Sequence, residues 1–487
     1  MLFNSIQYMI FLPIVFFIYY ILPHKFRNIF LLIASLYFYG SWMPKYLILI
    51  CGTIFITYLT SILIDKYEKH KKFFLFLGII INILILIVFK YKNFFIDNIN
   101  SLFAILNLDF SISNKFNFML PVGISFYTFQ SIGYCIDVYR KDVKCEKNFI
   151  NYAVFVTFFP QLVAGPIERS KNLLRQFNEK HDFKYEKGVE GLRYILAGMY
   201  RKVVIADLCA VIVNGVYNNI YNYRGILLLF ATFLFAIQIY CDFSGYSMIA
   251  IGSGKLLGFD LMENFKSPYL SSSVKEFWNR WHISLSTWFR DYIYYPLGGS
   301  KKGTKRKMIN LAIVFLISGL WHGAAWTFVI WGMLHAFFRI MEEIKFRKIK
   351  REDNIFTNLV KILFTFIVVN ISWVFFRANK IEDAIYVFKN AFNGFGLRNI
   401  PHIIYNSLLD KKIFASFIII IIMISIFYLI YEDYKMKKYS FNICDFYQSL
   451  GKKRYLIYLF QTIMIIIVFV ILQASYGQTG QFIYFQF

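Results

Sequence analysis

The sequence predicts an all-α integral membrane protein, on the basis of its composition, its long uncharged runs and the placement of its basic residues. Hydrophobic residues occupy 58% of the 487 positions, whereas soluble domains average about 45–50% apolar residues even with Gly counted. Aromatic residues contribute 21%, and the mean hydropathy is +0.52. This composition excludes an ordinary water-soluble enzyme, a disordered chain, a collagen-like repeat and a small disulfide scaffold.

Uncharged apolar runs recur along the whole chain, and a bilayer crossing takes roughly 20 apolar residues. We expect about ten to twelve membrane segments, some of them too short or too long for a simple crossing, and no separate soluble domain. The runs that predict these segments cover residues 1–23, 28–43, 46–64, 73–89, 116–136, 148–167, 225–241, 308–338, 362–376, 413–431 and 455–474, with a weaker stretch at 192–217.

The basic residues form short clusters between these runs. The formal net charge is +25, which would suggest nucleic-acid binding in a soluble protein. Clusters such as 301–307, 345–351 and 435–454 instead indicate cytoplasmic loops of a protein surrounded by membrane lipids, and we expect no nucleic-acid partner. Because the run 455–474 begins directly after such a cluster, the tail 478–487 is predicted to be exoplasmic.

The cysteines and the amino terminus argue against processing and against metal binding. None of the six cysteines forms a CxxC pair, so neither a disulfide framework nor a metal site is indicated. The first 23 residues carry no charged side chain, no basic region and no small-residue cleavage site. We therefore expect a membrane anchor rather than a removable signal peptide.

Two regions differ from plain spanning helices. The run 308–338 would be about 46 Å long as one helix, against a hydrocarbon core of about 30 Å. It must tilt, break or turn back, and Gly319 and Gly323 offer a place to break. The stretch 275–295 mixes charges with aromatic residues that fall on one helical face, which predicts a helix lying at the interface or lining a polar cavity.

His322 lies near the middle of an uncharged run of 31 residues, 308–338. An ionisable group at this depth should face protein or a water-filled cavity. Burial there favours the neutral imidazole, which is the form that a general base requires. The alternative is a histidine that only hydrogen-bonds another helix.

His282 lies in the amphipathic stretch with Arg280, Arg290 and Asp291. Cations there could hold a phosphate-bearing ligand or stabilise a developing negative charge. The alternative is an interfacial helix whose arginines meet lipid headgroups.

Three further ionisable residues are ambiguous. Asp242 closes an uncharged run and Glu168 follows an apolar motif, so each is a candidate functional carboxylate or an ordinary helix-end residue. His335 would point to the same side as His322 on a continuous helix, nearly 20 Å away, and we interpret it as a packing residue. The sequence contains no P-loop, Rossmann glycine fingerprint, nucleophile elbow or HExxH motif, so a nucleotide hydrolase is not indicated.

Five ordered motifs, extending over nearly the whole chain, carry a resemblance to a known family. They are Pro121-Val-Gly-Ile-Ser-Phe-Tyr-Thr-Phe-Gln130, Phe158-Phe-Pro-Gln-Leu-Val-Ala-Gly-Pro-Ile-Glu168, Tyr240-Cys-Asp-Phe-Ser-Gly-Tyr246, Phe277-Trp-Asn-Arg-Trp-His-Ile-Ser-Leu-Ser-Thr-Trp-Phe-Arg-Asp-Tyr292 and Gly319-Leu-Trp-His-Gly323. Together they resemble the membrane-bound O-acyltransferase (MBOAT) family, in the bacterial branch of alginate and peptidoglycan O-acetylation proteins.

The resemblance implies a ring of tilted and re-entrant helices around a central tunnel in a membrane domain covering residues 1–477. It implies an acyl-transfer site in which His322 is the general base or proton shuttle and His282 positions the substrate or stabilises an oxyanion. Acetyl-CoA is the implied donor, and no metal is expected. The residues implied to line the tunnel or contact substrate are Arg280, Trp281, Arg290, Asp291, Trp321, Gln161, Glu168, Asp242 and Gln130.

The tail contains Phe482-Ile-Tyr-Phe485, which resembles the terminal FxYF motif of the small membrane partner in D-alanylation systems. We expect Tyr484 to carry an acetyl ester toward an exoplasmic partner; the alternative is an aromatic tail resting at the headgroup level. The resemblance further implies a separate SGNH-type extracytoplasmic O-acetyltransferase that acts on a cell-envelope polysaccharide.

Other functions stay open at this point. A proton-coupled transporter or flippase could use the histidines as a relay, although no inverted repeat with paired broken helices is apparent. A D-alanyl or lipid acceptor system would keep the family and change the substrate. The sequence does not identify the polysaccharide.

Overall fold

The structure, a computed structural model, contains helices and no strands in the residues that it describes. Those residues are 1–42, 44–113, 120–163, 165–345, 354–394, 396–407, 412–476 and 482–483. The α-helices within these ranges are α1 Ile6–Ile21, α2 His24–Gly40, α3 Leu47–Lys66, α4 Lys71–Leu86, α5 Lys92–Ile105, α6 Ile124–Tyr139, α7 Phe149–Thr157, α8 Phe159–Leu162, α9 Tyr185–Met199, α10 Asp207–Tyr217, α11 Ile226–Leu256, α12 Val274–Arg280, α13 Ile283–Phe289, α14 Gly303–His322, α15 Trp326–Lys345, α16 Ile355–Arg377, α17 Ile381–Asn390, α18 Ile400–Ser407, α19 Lys412–Tyr439, α20 Ile443–Ser449 and α21 Lys453–Tyr476.

Six helical runs in the described part of the chain are long and apolar enough to cross a membrane, and α1 is a shorter apolar helix. These findings and the all-helical architecture confirm the predicted fold class, whereas the number of ten to twelve membrane segments stays a prediction. The six runs are Pro44–Lys66, Glu68–Ile105, Ile226–Leu256, Ile355–Arg377, Ser416–Tyr439 and Lys453–Ala474.

The centre of the protein is α11, of which 78% of the most apolar window is buried. Glycines allow α9 to approach it closely: a Cβ atom on Gly245 would lie 2.7 Å from the carbonyl oxygen of Gly198, and one on Gly252 would lie 2.5 Å from that of Gly191. Small residues at helix contacts are the usual way in which membrane helices gain packing area. Any side chain at these positions would push the two helices apart.

A buried ionic cluster joins α19 to α11 and to the π-helical segment Tyr200–Ala206. Arg201 pairs with Glu432, lies 3.5 Å from the Asp433 carboxylate and donates to the Tyr240 hydroxyl at 3.2 Å. Charges this deep are stable only when they are paired. The cluster therefore fixes α19 against the central helix.

The run 148–167 does not form one spanning helix. α7 ends at Thr157, and a new short helix, α8, begins at Phe159. Pro160 occupies the first turn of α8, where a residue without an N–H is tolerated, so the chain restarts there instead of continuing.

Candidate active site

His322 lies at the turn of a helical hairpin. α14 ends at His322, Gly323 has extended backbone, and α15 starts at Trp326. The two helices pack antiparallel: a Cβ atom on Gly319 would lie 2.3 Å from the carbonyl oxygen of Phe328, and Lys307 pairs with Glu343 at the far end. Of the three expected possibilities for the run 308–338, a tilt, a break or a turn back, the structure shows a break and a turn. The turn places the His322 side chain inside the protein with 3% exposed.

The carboxyl end of α14 is held by two neighbouring residues of the π-helical segment Ile87–Tyr91. The Lys90 ammonium donates to the carbonyl oxygens of Trp321 at 2.6 Å and His322 at 3.0 Å, and the Tyr91 hydroxyl donates to that of Leu320 at 2.7 Å. The last carbonyls of a helix need such external donors, and a cation suits the negative end of the helix dipole. Sequence reasoning missed Lys90, whose only signal is that it ends the apolar run 73–89.

His282 occupies the junction between α12 and α13, with left-handed backbone at φ 44° and ψ 54°. The loop residue Asn264 stabilises this break, since its carbonyl oxygen accepts from the Ile283 N–H at 3.0 Å and its side-chain oxygen accepts from the Ser284 N–H at 3.2 Å. The expectation of one continuous amphipathic helix over 275–295 is therefore wrong, because this loop replaces the helical hydrogen bonds.

The His282 imidazole is completely buried, and within the described residues neither ring nitrogen has a hydrogen-bond partner. Buried polar groups in native proteins are nearly always hydrogen-bonded. An imidazole in this state can bind or donate to a substrate group without first breaking an internal bond.

The two candidate catalytic histidines contact the same indole. Ring centroids lie 5.9 Å apart for His282 and Trp321, and 4.9 Å apart for Trp321 and His322. His322 also contacts Trp331 at 4.8 Å. The structure therefore brings His282, Trp321 and His322 together as one buried site, which we call the histidine–tryptophan site.

His335 lies on α15 and contacts Trp331, which His322 also contacts. The separation of nearly 20 Å expected for a continuous helix is therefore wrong, because the chain turns back after His322. The His335 ring contacts Trp331 at 4.9 Å, and its Nδ1 atom accepts from the Trp278 indole at 3.3 Å. These contacts agree with the interpretation of His335 as a packing residue.

Gln130 and Gln161 converge, although they come from different motifs. Both side-chain amides donate to the carbonyl oxygen of Phe155, at 2.6 Å and 2.7 Å. Glu168 is also buried and accepts from the Met262 N–H at 2.6 Å. Gln130 thereby joins α6 to α7, and Glu168 joins the segment after α8 to the loop at Met262.

Asp242 lies in the buried part of α11 and belongs to an ionic triad. Its carboxylate is 2.7 Å from the Lys202 ammonium, which also lies 2.7 Å from Asp207. Its second oxygen accepts from the main-chain N–H of Ile483 at 2.6 Å. Tyr484, the next residue in the chain and a predicted catalytic residue, lies outside the described residues.

Arg280 borders a cavity of about 640 Å³ between α11, α12 and the end of α19. Burial alone would raise the pKa of Glu276, but hydrogen bonds from Ser272 and the charges of Lys437 and Arg280 hold it below its ordinary value. Other polar residues of the lining include Arg201, Lys266 and Asn264. Asn264 lines this cavity and also accepts hydrogen bonds from the backbone directly after His282. The cavity therefore borders a residue that holds part of the histidine–tryptophan site in place.

Trp281 packs in the aromatic core, with its ring 5.2 Å from that of Trp373. Arg290 and Asp291 are placed elsewhere: they pair with each other at 2.9 Å, and Asp291 pairs with Arg169 at 2.8 Å beside a second cavity of about 570 Å³. Among the described residues, neither forms a hydrogen bond or ion pair with the histidine–tryptophan site. The same part of the chain contains no group of three His, Cys, Asp or Glu side chains that could hold a metal.

Comparisons with known proteins identify the family. The family model described as MBOAT, membrane-bound O-acyltransferase family, matches residues 146–378. The probable alginate O-acetylase AlgI of Pseudomonas putida is 41% identical over 79% of this chain and 79% of its own length. The peptidoglycan O-acetyltransferase of Helicobacter pylori is 34% identical over 80% of this chain and 79% of its own. The teichoic acid D-alanyltransferase of Bacillus subtilis is 29% identical over 45% of this chain and 58% of its own. The chain therefore belongs to the membrane-bound O-acyltransferase family and is a multi-pass membrane enzyme.

Proposed function

We propose that the protein moves an acetyl group from cytoplasmic acetyl-CoA across the bacterial cytoplasmic membrane for O-acetylation of a cell-envelope polysaccharide, peptidoglycan or an alginate-like polymer. The observation that carries the proposal is the convergence of two buried histidines on Trp321, one of them with both ring nitrogens unpartnered within the described residues. The names of its relatives supply the acetyl group and the class of acceptor.

The 640 Å³ cavity is the proposed binding site for the acyl donor. Its volume is in the usual range for a ligand pocket, about 300–1,000 Å³. Lys266, Arg280 and Lys437 in its lining suit a phosphate-bearing donor. Asn264 connects the cavity to the backbone at His282, so a thioester arm entering there approaches the histidine–tryptophan site.

In the proposed transfer, residues of this chain and CoA account for every proton and every bond that forms or breaks. His322 accepts the phenolic proton of Tyr484 while the phenolate oxygen attacks the thioester carbonyl. The C–O bond forms, the C–S bond breaks, and His322 returns the proton to the CoA thiolate. The products are an acetyl-tyrosine ester and CoA thiol, and His282 donates to the oxyanion of the intermediate.

The second transfer takes place at the exoplasmic end of the chain. A separate SGNH-type O-acetyltransferase accepts the acetyl group and esterifies a sugar hydroxyl of the polysaccharide. The tail 478–487 is exoplasmic in this proposal, as the basic cluster before α21 indicates.

Purified protein supplied with acetyl-CoA tests the donor, with release of CoA thiol as the readout. Wild-type protein should release thiol, whereas His322→Ala should not, and envelope glycans from cells carrying His322→Ala should lose their ester-linked acetate. If the protein released thiol only from a D-alanyl thioester, the transferred group would be D-alanyl and not acetyl. Full glycan acetylation by His322→Ala, or a proton-coupled flux without thiol release, would contradict the proposal.

A further inference from the structure

Two residues near the end of the chain are buried against the central helix. The Phe482 side chain is 0% exposed and that of Ile483 is 2% exposed. The Phe482 ring lies 4.4 Å from that of Tyr246 and 5.8 Å from that of Phe243. A segment this well buried occupies a site in the protein, and that site lies on α11.

The polar part of the site is Asp242. Its carboxylate accepts the Ile483 N–H at 2.6 Å while its other oxygen faces Lys202. Hydrogen bonds to a charged acceptor are about twice as strong as neutral ones. This bond fixes the backbone of the tail, and not only its side chains.

The charges around Asp242 explain why its buried carboxylate is stabilised by a hydrogen bond from the tail. Lys202 lies 2.7 Å from both Asp242 and Asp207, so within this triad one ammonium serves two carboxylates. A buried carboxylate that lacks full compensation requires further donors. The Ile483 N–H supplies one of them.

The site also contacts the catalytic region. The Phe243 ring touches Phe482 on one side and lies 4.6 Å from the His282 ring. The aromatic residue beside Asp242 therefore connects the bound tail to His282.

We propose that Asp242, Phe243 and Tyr246 form an intramolecular docking site for the apolar Phe482-Ile483 segment, which anchors the tail beside His282. Asp242 acts here as a positioning residue. Any role of this docking in acyl transfer rests on the proposed function, because Tyr484 directly follows Ile483. The docking itself does not depend on that function.

Hydrogen–deuterium exchange of the carboxyl-terminal peptides, measured on full-length protein in detergent micelles, tests the docking without any substrate. The Ile483 amide should exchange slowly in wild-type protein and at least ~10-fold faster in Asp242→Ala. Asp207→Ala is the matched control, because it also removes a carboxylate from Lys202 but makes no hydrogen bond to Ile483. It should keep the protection.

Equal protection in wild type and Asp242→Ala, or equal loss in Asp207→Ala, would overturn the docking site. If Asp242→Ala does not fold, Phe482→Ala changes only the tail and should release the Ile483 amide; unchanged protection there would also overturn it. Acetylation of Tyr484, followed on the same samples, separates the two proposals. A protected amide on a protein that never acetylates contradicts the carrier role alone, and acetylation with an unprotected amide contradicts the docking alone.

Discussion

The Lys90 ammonium lies 3.0 Å from the main-chain carbonyl oxygen of His322. This contact fixes the last turn of α14 at the point where the candidate general base leaves the helix. It also connects α14 to a π-helical segment, a geometry that is frequent at functional sites. Lys90 therefore acts as a positioning residue for the main chain at His322.

Lys90→Met should lower kcat by about 10- to 100-fold, because small displacements of a catalytic group cost that much, and should leave the KM for acetyl-CoA nearly unchanged. Lys90→Arg should restore part of the rate. Lys72→Met, at an exposed position of α4, is the control. Loss of rate through KM alone would contradict a positioning role.

Substitutions at His282 distinguish the role of its left-handed backbone from the role of its imidazole. Asn and Gly both tolerate the left-handed backbone found there, so His282→Asn and His282→Gly should fold. His282→Gly should reduce kcat by about 10²- to 10³-fold, because the oxyanion donor is lost, whereas His282→Asn retains an amide donor and should lose less. If His282→Gly turned over at the wild-type rate, the backbone turn at this position would be required for activity and the imidazole would not.

The two histidines of the α14–α15 hairpin should behave differently. His322→Ala should lower the rate of CoA release by about 10²- to 10⁴-fold, the range of general-base catalysis, with normal membrane accumulation. His335→Gln loses the packing of the imidazole around Trp278 and Trp331, so it should lower the melting temperature and keep most of the turnover. Equal inactivation by both substitutions would place His335 in the chemistry.

The buried pair between Arg201 and Glu432 should dominate stability near α19. Arg201→Met leaves Glu432 and Asp433 uncompensated, at a cost of about 3–5 kcal/mol. Arg175→Met removes an exposed pair with Glu179, worth about 0.5 kcal/mol or less. Thermal unfolding in detergent, followed by tryptophan fluorescence, should show a large drop in melting temperature only for the first variant.

Sequence reasoning predicted the parts of the site that depend on local pattern. The turn near His322 follows from an apolar run too long for one crossing, with glycines available to break it. The burial of His322 follows from the absence of charge around it.

The contacts that complete the site join distant segments and could not be predicted from local pattern. A lysine at the end of an apolar run, such as Lys90, is indistinguishable in sequence from one that reaches the membrane surface. The break at His282 depends on Asn264 in another loop. Arg290 and Asp291 follow His282 closely in the sequence, but the break at His282 and the π-helical segment Arg290–Tyr294 separate them from the histidine–tryptophan site.

Acetyl transfer to Tyr484 is tested by the intact mass of purified protein after incubation with acetyl-CoA, for wild type, Tyr484→Phe and His322→Ala. We expect wild-type protein to gain the mass of one acetyl group and neither variant to gain it. Treatment with hydroxylamine should remove the added mass, since a phenolic ester is labile to it. Equal acetylation of wild type and Tyr484→Phe would show that Tyr484 is not the acetyl carrier.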